Sequence, residues 1–125
     1  MGLNEEDIMK VMTLVKTTKA GVGMPPMALM QAIGQLGADA EAAGVLVTQG
    51  GLMGKEQSAF INIRSGKVIV TDGPFAESKE LVGGYAVYEV PDMEAAMEWA
   101  VRFANLHKEH WPEWEGDIEV RPIFG

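Results

Sequence analysis

The sequence contains no cysteine, which excludes disulfides, thiolate metal sites and cysteine nucleophiles and suits a reducing compartment. Basic residues are scarce. Ten Lys and Arg stand against eighteen Asp and Glu, and the resulting formal charge of −8 repels phosphate backbones and anionic lipid surfaces. Nucleic-acid and membrane binding are therefore not expected. No run approaches the roughly 18 consecutive apolar residues of a spanning helix, and the opening stretch, acidic and without a basic or apolar region, does not read as a signal peptide. The expectation is a cytoplasmic protein with residues 1–7 as a flexible lead-in. Histidine is almost lacking too: only His107 and His110 occur, so imidazole chemistry has one possible location in the chain.

What is present suits a small globular fold. At 125 residues, 47% hydrophobic and 22% charged, the chain is long enough for one hydrophobic core, and a single domain over residues 1–125 is expected. Nine methionines fall mostly on core-like positions, where the flexible thioether fills gaps. Ile8 to Lys16 alternates as a strand, with Met9, Val11, Thr13 and Val15 on one side and Lys10, Met12 and Leu14 on the other. After Pro25 and Pro26, the spacing Leu29, Ile33, Leu36, Ala40, Ala43 predicts a helix from Met27 to Ala43 that stops at Gly44. Gly34 and Gly37 weaken that helix unless a neighbour packs closely there.

Val45 to Thr48 reads as a short strand, and Ser58 to Arg64 with Lys67 to Thr71 as a hairpin turning at Ser65 and Gly66. Tyr85 to Val90 is a further strand. Asp92 caps a second helix, Met93 to Lys108, with Met93, Ala96, Met97, Ala100 and Ala104 inside, and Asp117 to Ile123 closes the fold as a strand. The fold class is α+β, a ferredoxin-like split βαβ with an inserted β-hairpin, in which an antiparallel sheet carries two helices on one face. Its other face combines Met12, Leu14, Tyr85 and Val87 with the charged Lys10, Glu89, Glu119 and Arg121. An apolar floor with a polar fringe is best covered by a second copy, so a homodimer enclosing a pocket is expected.

Two segments carry candidate chemistry. In VTDGPFAESKE, residues 70–80, an aspartate, glycine, proline and aromatic follow a strand directly. Asp72 can cap the turn that Gly73 and Pro74 impose, or it can stand at the pocket edge as a proton acceptor, with Glu77, Lys79 and Glu80 orienting a polar ligand. In NLHKEHWPEWEGD, His107 and His110 share one helical face. They can end the helix as cations favoured by its dipole, or His110 can act as acid or base beside an apolar wall of Trp111 and Trp114. A histidine pair without a third defined ligand is a weak metal signal, and no metal or cofactor is expected.

The stretch TDGPFAESKELVGGYAVYEVPDMEAAMEWA and the closing IEVRPIF resemble the DGPF-domain family of the YCII-related proteins, a likeness that runs from Ile8 to Phe124. That resemblance implies a dimeric α+β barrel related in shape to muconolactone isomerases. It implies less about activity: most such proteins are uncharacterised, and some are encoded beside alternative sigma factors. The histidine–aspartate dyad proposed for the YCII branch has its histidine in the first half of the chain. Nothing before His107 can supply it here.

Two functions remain open. One is a cofactor-independent enzyme moving a proton in an isomerase or lyase reaction, with Asp72 or His110 as base, Lys79 or Arg121 as anion partner, and Tyr85 and Trp111 against the ligand. The other is a non-catalytic ligand-binding or regulatory module, with a link to sigma-factor-dependent transcription as one form of it. Convergence of Asp72, His110 and Arg121 on one cavity would favour the enzyme.

Overall fold

The computed structural model describes residues 8–72 and 81–125. The chain runs β1 (Met9–Thr17), α1 (Met27–Ala42), β2 (Leu46–Gly51), a single 3₁₀ turn (Lys55–Gln57), β3 (Ala59–Arg64), β4 (Lys67–Asp72), β5 (Leu81–Val90), α2 (Met93–His110) and β6 (Gly116–Pro122). Four strands pair in the order β2-β5-β1-β6, every contact antiparallel, while among the described residues β3 and β4 pair only with each other. This is the ferredoxin-like α+β plan with a hairpin inserted between β2 and β5.

Sheet register decides which residues share a face, because partners directly opposite one another point the same way. Val11 opposes Tyr88 on β5 and Pro122 on β6, and Thr13 opposes Ala86 and Val120. This face carries both helices: Val11, Ala86, Tyr88 and Val90 pack with Ala40 of α1 and Ala96 of α2 into the core. Leu29, Val11 and Val90 are its largest fully buried side chains. The residues between them, Lys10, Met12 and Leu14, oppose Glu89, Val87 and Tyr85, so they lie on the other face as the alternation predicts.

The helices depart from expectation in instructive ways. In α1, Leu29, Leu36 and Ala40 are buried as the stripe predicts, but Ala43 is the exposed C-cap, and Gly44 turns the chain with φ at +75°. Gly37 is buried where the Gln49 side chain of β2 occupies the space a Cβ would need, so the glycine that weakens the helix admits the sheet. α2 starts at Asp92, whose side chain accepts from the Ala95 amide at 2.8 Å, and runs to His110 rather than Lys108. Its buried contact is made by Ala96 and Ala100, small enough for close approach. Met97, expected inside, is turned 100° further round and stands 45% exposed at the rim.

β5 begins at Leu81, four residues before Tyr85, because Gly83 and Gly84 hide its start. Gly84 lies where β1, β2 and β5 crowd together, and a Cβ there would stand 3.1 Å from the Gly50 carbonyl oxygen. At the hairpin tip Ser65 and Gly66 both adopt positive φ, 51° and 74°, the twist that a two-residue turn needs to keep its strands together.

Candidate functional site

The bare sheet face is built by three strands. Register places Met12 between Val87 and Arg121, and Leu14 between Tyr85 and Glu119, so a hydrophobic floor meets a charged border along β6. Met12, Leu14 and Tyr85 are half-buried and Val87 is buried by its neighbours, while among the described residues neither helix covers this face. Tyr85 opposes Gly50 across β5 and β2, and a Cβ at Gly50 would stand 2.9 Å from the phenol oxygen. The glycine is what lets the ring lie flat over β2.

Among the described residues, Lys16, Glu119 and Arg121 form an ion network along this border. Glu119 accepts from Lys16 Nζ at 2.5 Å through one oxygen, and from Arg121 through the other. The Lys16 ammonium, helped by Arg121, holds the Glu119 carboxyl below the usual carboxylate range. Glu119 is therefore an ionised anchor at neutral pH and a poor proton acceptor. Two cations sharing one carboxylate leave Arg121 with donors in excess, and its planar fork suits a carboxylate or similar anion.

The second cluster lies in the helical layer, on the far side of the sheet. His107 is only 5% exposed, its ring centroid 4.8 Å from Phe103 and 4.6 Å from Trp114. Its Nδ1–H donates to the Phe103 carbonyl at 3.2 Å, which leaves Nε2 as the lone-pair nitrogen. Burial pushes the imidazole below its ordinary pKa, which weighs against the reading of this histidine as a cation at the helix end. Trp114 Nε1 donates to Thr17 Oγ1 at 3.0 Å and ties the loop after α2 to the end of β1. An open groove of about 740 Å³ adjoins the cluster, lined by Thr18, His107, Lys108 and Glu115 among others.

With the geometry in place, comparison with known proteins identifies the family: a model of the YCII-related domain matches residues 9–123. The chain belongs to the YCII-related domain family. An uncharacterised protein of Rhizobium meliloti (strain 1021) is 31% identical to this YCII-related chain over 81 residues, 65% of the chain and 61% of that relative. The chain thus matches less than two thirds of the relative's length. A crystal structure of an unknown protein from Galdieria sulphuraria aligns with 99% of the chain and 54% of its own at a TM-score of 0.46 and 13% identity.

Of the candidate residues in this YCII-related protein, Tyr85 and Arg121 share the bare face, on strands flanking β1. His110 is the last residue of α2, 3.9 Å from Glu109, and Trp111 is buried beside Trp114 at a ring separation of 6.3 Å, both in the helical layer. His110 and Arg121 therefore do not converge. Asp72 is the last residue of β4, its backbone opposite Ala59, and its side chain lies outside the described residues, as do Glu77, Lys79 and Glu80. Among the described residues no three His, Asp or Glu side chains gather as a metal site, and no helix is long and apolar enough to cross a membrane. Lys16 is the border residue that strand alternation alone did not single out. Antiparallel pairing sets Lys16 opposite Asp117 on β6, and its long side chain reaches diagonally to Glu119, which lies opposite Leu14.

Proposed function

We propose that this YCII-related protein binds a small amphiphilic molecule with an anionic head on the bare face of its sheet, and that a second copy closes the site to form a homodimer. The observation that carries this reading is the register that sets Met12, Leu14, Tyr85 and Val87 beside the Lys16–Glu119–Arg121 network. An apolar floor takes the body of the ligand and Arg121 its head, the usual division of labour in a small-molecule pocket. The separation of His110 from Arg121 supports binding over proton transfer by that pair.

The test combines light scattering with thermal shift against a panel of aryl and alkyl carboxylates. The expected result is a dimer at micromolar concentration whose melting temperature rises with at least one carboxylate, since a ligand held by the native state alone stabilises it. Arg121→Met should weaken that carboxylate about tenfold or more, the worth of a charged hydrogen bond. Leu14→Asp should dissociate or unfold the dimer, because a charge would be desolvated without a partner. A monomer that no carboxylate stabilises would overturn the proposal.

A further inference from the structure

The β3–β4 hairpin is the least explained part of the molecule. Its register pairs Ile61 with Val70 and Ile63 with Val68, which puts four branched apolar side chains on one face. They are 66–70% exposed, and the hairpin makes at most marginal contact with any other described element. A lone two-stranded hairpin is marginal in water, and branched side chains on one face are worth little unless that face is covered.

A matching surface exists on the same chain. Between α2 and β6 runs a shallow groove of about 280 Å³ lined by Met97, Val101, Ala104, Ile118 and Val120, with Met97 45% and Val101 50% exposed. Among the described residues β6 pairs only with β1, so no other described strand meets its outer edge beside this groove. The six-residue strands of the hairpin reach roughly 20 Å, and the seven residues of β6 about as far. Charge agrees with shape. The tip of the hairpin carries Arg64 and Lys67, while the end of α2, the loop after it and the start of β6 carry Glu109, Glu113, Glu115 and Asp117. Among the described residues neither Glu113 nor Asp117 has an ion-pair partner.

The geometry points to the hairpin of one copy lying in the α2–β6 groove of a second copy, apolar face inward and basic tip toward the partner's acidic segment. This rests on the dimer of the proposed function and names the segments that clasp it. Reciprocal exchange of two identical arms closes a two-fold dimer and leaves neither apolar surface in water.

The absence of cysteine makes the test clean. Ile63→Cys and Val101→Cys, both at exposed positions, are prepared as separate variants, unfolded, refolded together and mildly oxidised. The expected main product is a covalent dimer of one variant with the other, with little linkage in either variant alone, since a disulfide forms only where the two Cβ atoms meet. If the mixture is dimeric by light scattering but 63 and 101 do not link, the arm assignment falls and the sheet-face dimer stands. A monomeric mixture overturns both. A chain carrying both cysteines that links internally as a monomer also overturns the inference, because the arm then covers its own groove.

Discussion

The two faces of the four-stranded sheet are made from the same strands, yet they end in opposite conditions. On one, Val11, Ala86 and Val90 meet two helices and lose nearly all contact with water; on the other, Met12, Leu14 and Tyr85 stay half-buried beside an ion network. The hairpin carries this contrast further, with isoleucines and valines as apolar as the core left 66–70% exposed. Hydrophobicity is thus the same currency on each surface, and what differs is whether this chain provides the cover. Where it does, burial stabilises the fold; where it does not, the same residues mark a place for something else.

Truncations on the two surfaces should separate most widely. Leu29→Ala removes a fully buried side chain and should lower the unfolding free energy by about 2–5 kcal/mol at every protein concentration. Ile63→Ala should instead show a cost that depends on concentration, because the proposed clasp makes its contact only in the dimer. Urea titrations of both variants at two concentrations check this, and a concentration-independent loss for Ile63→Ala would erase the contrast.

A smaller effect probes how firmly the covering layer is held. Asp92→Ala removes the acceptor at the start of α2 and should cost roughly 0.5–2 kcal/mol, whereas Asp92→Asn keeps an acceptor and should cost little. Helix content by circular dichroism should be unchanged in both, with only the melt displaced.

The smallest effect is a slope. Burial lowers the pKa of His107 in the native state, while the unfolded chain titrates near the ordinary value of about 6.5. Above that value both states are neutral and the group contributes nothing. As pH falls below it, the unfolded chain takes up a proton that the native state refuses, so stability should decline between about pH 7 and 5. Glu119 has its depressed value on the acid side of ordinary carboxylates, so its loss comes at lower pH and does not blur this window. His107→Gln should flatten the slope in urea melts at pH 7.5 and 5.5, whatever it does to the stability itself.

The fold was legible because its signals are local. Alternation in β1, the 4,3,4,3 spacing of α1, the Asp92 cap and the Ser65–Gly66 turn each act over a few residues, so the order of elements and the two sheet faces follow from the chain alone. The misreadings share a cause. The strand was read from Tyr85 because Gly83 and Gly84 carry no side chain to alternate, although Gly84 packs against β1 and β2; Met97 looks buried until two alanines bring α2 close to the sheet.

The site was legible only in part. Tyr85, Glu119 and Arg121 fall on the bare face by counting along strands. The partnership of Lys16 with Glu119, 103 positions apart, depends on β6 pairing beside β1, and no local pattern encodes it. The histidines show the same limit. Their three-residue spacing placed them on one helix face, but spacing cannot say how deep that face lies. Packing against Phe103 and Trp114 buried His107 and lowered its pKa, while His110 is the last residue of α2. Sequence by itself determined the elements, their order and their alternating faces, because those depend on dihedral preference and on periods of 2 and 3.6. The tertiary structure decided which charges meet, how deeply His107 is buried and which apolar surface is left bare, because desolvation and Coulomb energy depend on distances that only the packed chain sets.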